Sequence, residues 1–210
     1  MFLELLRKAC VFELGCPVVG EAREGPEAKR VINQLQPELV LLDLHLPGCD
    51  GFEVAAYGRI HAPAARFLMI SSHMDDYTLF RVERSGAHGF LDKNTQSLGA
   101  LRRAVEALRR GERYFSPAFL EAQAARKEQS DHFSRLLSER ECAVLALIGA
   151  ALTDEEIAQR LGISHTTAQT HRSRIMRKLG ISGSGKLARF ALEHGFSRVV
   201  TQHNGKPVHS

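Results

Sequence analysis

Between Leu152 and Gly180 the chain reads LTDEEIAQRLGISHTTAQTHRSRIMRKLG, and few folds can satisfy that run. Thr153 precedes Glu156 by three residues, the spacing at which a hydroxyl and a carboxylate satisfy each other's orphan backbone donors, so a helix starts there. Ile157, Ala158 and Leu161 recur at helical spacing as its apolar face, while Glu155, Gln159 and Arg160 face outward. Gly162 supplies a left-handed stop and Ile163 fills the corner. Ser164 then caps a second helix with Ala168, Ile175, Met176 and Leu179 on one side, closed by Gly180. Two helices around a tight glycine turn form a helix-turn-helix, whose second helix can lie in a DNA major groove.

From Ser164 to Gly180 the charges are Arg172, Arg174, Arg177 and Lys178, with no acid among them. An uncompensated cationic helix suits phosphates. Arg177 and Lys178, in the last turn, also suit the helix dipole. Residues 136–196, with LSERECAVLALIGAALTDEEIAQRLGISHTTAQTHRSRIMRKLGI at their centre, resemble the LuxR/NarL (GerE-type) four-helix DNA-binding domain of bacterial regulators. Leu137, Arg140, Glu141, Leu145, Ile157, Ala158, Leu161, Ser164, Thr167, His171, Lys178 and Leu179 carry the likeness. Ala168 departs from it, standing where the family usually has valine. The resemblance implies double-stranded DNA as partner and a homodimer on paired half-sites. It places Gln169, Thr170 and Ser173 toward bases and Thr167, Arg172 and Lys178 toward phosphates. Ser164 and His171 join the DNA-facing set, His171 packing or touching phosphate. Leu187 and Phe190 of the last helix are expected dimer contacts.

The first 112 residues repeat another grammar: an apolar run, a polar end, then a helical stretch. The runs are Pro17 to Gly20, Leu39 to Asp43, Arg66 to Ser71 and His88 to Lys93, with helices expected near 25–35, 51–60, 75–85 and 96–110. Nearly continuous apolar strands such as LVLLD and FLMIS suit a parallel sheet covered on both faces. Ligands of such sheets bind beyond the carboxyl ends of the strands, where this chain carries Asp43, Ser71 and Lys93. An aspartate can accept a phosphoryl group when cations neutralise the transferring charge.

With PELVLLDLHLPGCDGFEV, FLMISSH and SGAHGFLDK around them, these residues resemble the receiver domain of two-component response regulators, a flavodoxin-like (CheY-like) doubly wound α/β fold. The resemblance implies Asp43 as phospho-acceptor, Ser71 and Lys93 as phosphate and switch partners, and Phe90 as a switch aromatic. It implies Mg²⁺ held by Asp43 and the backbone carbonyl of His45, and a cognate sensor histidine kinase as partner. A receiver normally opens with a strand ending in a pair of acids. Here the chain opens with MFLELLRKA, which resembles the following helix, so the receiver is N-terminally incomplete. A strand missing between two neighbours leaves about 10 Å. The start codon is called too late, or the receiver is degenerate and pairs the flanking strands directly or borrows one from a partner. Without the acids, Asp43 is a poor Mg²⁺ site and a slow acceptor.

Residues 113–135 are expected to form a linker helix opening at Ser116-Pro117 and fraying at Ser130 and Asp131, and 197–210 a disordered tail. Cys10, Cys16, Cys49 and Cys142 show neither C-x-x-C nor zinc spacing, and no apolar run reaches about 18 residues, so a cytoplasmic protein is expected. The domains are then a receiver (1–112), linker (113–135), helix-turn-helix domain (136–196) and tail. A transcription regulator fits them best. Rivals are a phosphorylation-independent regulator and a kinase-titrating interaction protein. No catalytic dyad or nucleotide loop suggests an enzyme.

Overall fold

The computed structural model describes residues 2–94, 97–128 and 133–196, so the expected fraying at Ser130 and Asp131 and the tail lie outside it. Two compact units divide the chain: one holds residues 1–74 and 81–121, the other 75–80 and the chain from 122 onward.

Three of the four apolar runs become strands of one parallel sheet: β1 (Leu39–Asp43), β4 (Arg66–Ser71) and β5 (Gly89–Asp92). A fourth strand, β6 (Tyr114–Phe115), completes the order β1-β4-β5-β6. Its two residues fall in the segment expected to be linker. They pair in parallel with Gly89 and Phe90, a partnership 25 residues distant that no local pattern announces. Between β1 and β4 a small antiparallel ladder joins β2 (His45–Leu46) and β3 (Cys49–Asp50).

Both faces of the sheet are covered, as its apolar strands require. Leu68, Ile70 and Leu91 bury against Leu101, Ala104, Val105 and Leu108 of α5 (Leu98–Arg109), with Phe2 and Leu6 of α1 (Phe2–Lys8) packed alongside. The opposite side carries α3 (Gly51–His61), whose Gly58 lies under the ring of Phe67. There α4 (Asp76–Ser85) also reaches the sheet, Ser85 hydrogen-bonding the Met69 sulfur at 3.8 Å. Next to α3 packs α2 (Gly25–Leu35), over the span read from sequence.

One expected strand is absent. Pro17–Gly20 has no strand geometry, so the chain runs from α1 through a π-helical turn (Ala9–Glu13) and an irregular segment into α2. With no neighbour at one strand spacing, its backbone has nothing to pair with. Direct pairing of the flanking segments therefore does not occur.

The helix α6 (Pro117–Glu128) begins in the first unit and ends in the second, where α7 (Phe133–Leu136) precedes four helices: α8 (Glu139–Gly149), α9 (Asp154–Leu161), α10 (His165–Leu179) and α11 (Ser184–Glu193). Ser138 with Glu141 and Thr153 with Glu156 both form the reciprocal capping box. Gly162 and Gly180 take φ of 61° and 65° at the C-caps, where a side chain would strain the backbone. Leu145, Ile157, Ala168 and Ile175 are fully buried. Leu187, expected as a surface dimer contact, is also fully buried: with Ala191 it is the inward face of α11, while Phe190 is partly buried. No helix among the described residues is long and apolar enough to cross a membrane.

Candidate functional site

Asp43 ends β1, Ser71 ends β4 and Lys93 follows β5, so three parallel strands deliver them to one rim. Lys93 Nζ lies 2.5 Å from Asp43 Oδ2, and the two side chains remain about one-fifth accessible (21% and 23%). The other carboxylate oxygen accepts the His45 N–H at 2.9 Å. Ser71 is buried, its hydroxyl accepting the His73 N–H at 3.1 Å, and its carbonyl accepts the Lys93 N–H at 2.8 Å. The structure thus brings together all three rim residues singled out from sequence. Phe90 does not reach the rim surface: it is fully buried, 4.9 Å from the ring of Phe119 in α6, which in turn lies 5.1 Å from Phe115.

His45 and His73 flank the rim with ring centroids 4.3 Å apart. Burial pushes the His45 imidazole below its usual range and His73 adds to this, while Asp43 opposes it. The aromatic ring of Phe2 sits 4.4 Å from Lys93 Nζ, placing the start of α1 at the same rim.

The residues present do not by themselves fit Mg²⁺, which is held through carboxylates, waters and substrate phosphate. Asp43 is a single carboxylate with both oxygens engaged, and Asp50 caps α3 while pairing with Arg81. Among the described residues no group of three His, Cys, Asp or Glu gathers to hold a metal.

On α10, Thr166, Gln169, Thr170, Ser173, Arg174 and Arg177 line one shallow groove of about 430 Å³. They form a stripe at i, i+3, i+4 spacing opposite the buried Ala168 and Ile175. Ser164 supplies the cap, its Oγ accepting the Thr167 N–H at 3.1 Å, and lies 2.8 Å from the Thr167 hydroxyl. Thr170 donates its hydroxyl to the Thr166 carbonyl at 2.8 Å.

Two cations expected to meet phosphate already have acids. Arg172 Nε lies 2.7 Å from Asp154 of α9, and Lys178 Nζ 2.7 Å from Glu141 of α8. Burial raises the Glu141 carboxyl, but hydrogen bonds from Lys178 and Ser138 outweigh it and hold the group below its ordinary range. His171 is partly buried, its Nδ1 enclosed without a hydrogen-bond partner among the described residues. Arg174 and Arg177 are exposed and form no ion pair among the described residues. Arg174 and Arg177, named from sequence among the cations of this helix, were both absent from the expected DNA-facing set, although their spacing from Thr170 and Ser173 marks them.

Two family models match most of the chain, one on each unit's candidate site. A model of the response regulator receiver domain covers residues 1–106, and one of bacterial regulatory proteins of the luxR family covers 135–191. The chain is 35% identical to the transcriptional regulatory protein MctR of Rhizobium johnstonii, over 84% of this chain and 79% of MctR. The chain belongs to the LuxR family of response regulators. Against VraR of Staphylococcus aureus, a response regulator protein, identity is 31% over 84% of each chain. The fold is shared with RcsB of Salmonella enterica serovar Typhimurium, solved bound to a promoter with phosphomimetic BeF₃⁻. That match has a TM-score of 0.68 at 23% identity and covers 90% of this chain and 92% of RcsB.

Proposed function

We propose that this LuxR-family response regulator reads DNA through the exposed stripe of α10, and that Asp43 is the position at which its receiver takes phosphate. The observation that carries the first part is the division of cations on α10. Arg172 and Lys178 are paired with acids, whereas Arg174 and Arg177 share an open groove with Gln169, Thr170 and Ser173. Free guanidinium groups beside uncharged hydrogen-bonding side chains suit phosphate anchoring next to base reading. Thr167 and Ser164 at the helix start, with the exposed part of Lys178 at its far end, frame that stripe as further backbone contacts, whereas Arg172 is held by Asp154. Binding as a homodimer on paired half-sites, under a cognate sensor histidine kinase, completes the reading.

Selection of bound duplexes from a random pool tests it. Substituting Arg174→Ala or Arg177→Ala should weaken binding to all sequences and lower the salt slope by about 1. Gln169→Ala should instead relax sequence preference, at a cost of about 1–3 kcal/mol on the preferred site. A chain that prefers no duplex over heparin at moderate salt is not a DNA reader, and the interaction-protein reading takes its place.

A second reading of the receiver is favoured by the absence, among the described residues, of any cluster of three His, Cys, Asp or Glu around Asp43. The polypeptide beginning at Met1 takes phosphate slowly or not at all and works as a phosphorylation-independent regulator. Intact mass after exposure to an acyl phosphate and Mg²⁺ decides: stoichiometric label lost in Asp43→Asn overturns the second reading.

A further inference from the structure

Two of the four cysteines are brought together by the backbone. Cys10 lies in the π-helical turn after α1 and Cys16 just beyond it, and the Cys16 N–H bonds the Cys10 carbonyl at 2.8 Å. Leu14 caps the turn, its N–H bonding the Ala9 carbonyl at 3.0 Å, and Gly15 follows with φ of 60°. A left-handed glycine, then a residue whose N–H reaches back to the last turn, is a helix closure in which the side chains of the two bonded residues commonly meet as well. Here both of those residues are cysteines. A backbone bond of this kind sets two Cα atoms about 5.5 Å apart, inside the span of a disulfide. Burial pushes the Cys10 thiol above its ordinary range, and the nearby Cys16 sulfur adds to this.

The two sulfurs are unequal. Cys10 is buried, whereas Cys16 is partly exposed, its thiol donating to the Leu14 carbonyl at 3.6 Å and its sulfur accepting from Nη1 of Arg109, at the end of α5, at 3.8 Å. A sulfur open to solvent beside a guanidinium is the one an oxidant meets first. Nothing lies within 4 Å of the position a Gly15 side chain would take, so the turn between the cysteines has room to adjust. The remaining cysteines differ on each count. Cys49 is buried with its thiol donated to the Glu53 carboxylate at 3.3 Å, and Cys142 is buried in the other unit.

We propose that Cys10 and Cys16 form a reversible disulfide on exposure to hydroperoxides, which makes the end of α1 an oxidation-sensitive site of the sheet unit. With hydrogen peroxide, the Cys16 sulfur attacks the O–O bond: an S–O bond forms, the O–O bond breaks, and the departing oxygen leaves as water with the Cys16 proton. The Cys10 sulfur then attacks that of Cys16. An S–S bond forms, the S–O bond breaks, and the hydroxyl leaves as a second water with the Cys10 proton. The two thiols lose two electrons and two protons, and the peroxide is reduced to two waters. A dithiol reductant reverses the step by exchange. The inference stands whether or not Asp43 takes phosphate or α10 reads DNA.

The test treats the full chain with hydrogen peroxide, blocks the remaining thiols with iodoacetamide in denaturant, and digests with trypsin in the absence of reductant. Cleavage after Lys8 and Arg23 places both cysteines in the peptide 9–23, apart from Cys49 and Cys142. That peptide should emerge unlabelled and lighter by two hydrogen masses, and should take two labels when dithiothreitol precedes the block. The peptides of Cys49 and Cys142 should carry label throughout. In Cys10→Ala the intermediate should persist, so that dimedone labels Cys16 after peroxide; a Cys16 that dimedone does not label is not the attacking sulfur. Two labels on the peptide 9–23 after peroxide overturn the proposal. So does a chain joined to a second copy through either cysteine, or a Cys16 carried to the sulfinic acid while Cys10 still takes label. The digest reads the unaltered sequence, so it decides even where a variant fails to fold.

Discussion

The two units carry their candidate sites in opposite ways. In the helical unit α9 and α10 are specified by their own neighbours in sequence: a cap, an apolar stripe, a glycine stop. The stripe proposed to face DNA is then whatever the core leaves outside. In the sheet unit the rim is assembled by strands 20 to 50 residues apart, and Asp43 and Lys93 meet only because β1, β4 and β5 register correctly. Damage should therefore spread differently, with sheet substitutions disturbing geometry at a distance and helix substitutions costing local, nearly additive amounts.

The sharpest test of that contrast uses two glycines. A Cβ at Gly51 would lie 2.5 Å from the Asp43 carbonyl oxygen and 2.7 Å from the Leu44 Cα, both backbone atoms that cannot swing away. Gly51→Val should destabilise the sheet unit by about 3 kcal/mol and displace Asp43 from Lys93. At Gly162 an added Cβ meets nothing within 4 Å, and only the φ of 61° resists. Gly162→Ala should cost about 1 kcal/mol, confined to the helical unit. Calorimetry with amide exchange on each unit separates the two, and equal losses would erase the distinction.

Between these two in size lies Glu141. It accepts from the Ser138 N–H at 2.8 Å and from Lys178 at 2.7 Å, with its side chain 6% exposed. Glu141→Ala removes a cap and strands a half-covered ammonium, so about 2 kcal/mol is expected. Glu156→Ala, at the other capping box on an exposed surface, should lose visibly less. Because the Glu141 carboxyl titrates below its ordinary value of 4.5, its contribution is present above that pH and fades as pH falls through the lowered value. Melting of the helical unit should fall on acidification below about pH 4.5, and the fall should be shallower in Glu141→Gln. An unchanged acid profile in that variant would mean the pair does not govern this unit.

Legibility follows the same divide. Both capping boxes, the stops at Gly162 and Gly180 and the span of α2 were readable because each depends on residues within one or two turns. Asp43, Ser71 and Lys93 were readable as strand ends, and their meeting followed from the βα alternation. Three things were not readable. Pro17–Gly20 has a strand-like composition, but a strand exists only if a neighbour pairs with it. Tyr114–Phe115 looked like linker because its partners Gly89 and Phe90 are remote. The neutralisation of Arg172 and Lys178 was hidden because Asp154 and Glu141 lie 18 and 37 residues away. Leu187 was misjudged for a related reason: helical spacing shows that α11 has an apolar face, not which way it turns.

The smallest expected effect probes how the helical unit sets its own charge. Asp154 sits in the first turn of α9, where its carboxylate favours the helix dipole, and it holds Arg172 with both side chains mostly covered, at 15% and 19% exposure. Asp154→Asn gives up a modest amount of stability but removes a negative charge beside α10 and releases a guanidinium toward the groove side. If Arg172 can then reach phosphate, the slope of log affinity against log salt should steepen by up to about 0.9, so the variant binds DNA more tightly at low salt despite being less stable. Measured affinity and melting temperature would move in opposite directions. Were they to fall together, Arg172 would be a packing residue of the α9–α10 joint, and the cationic surface of α10 would reduce to Arg174 and Arg177 with the exposed end of Lys178.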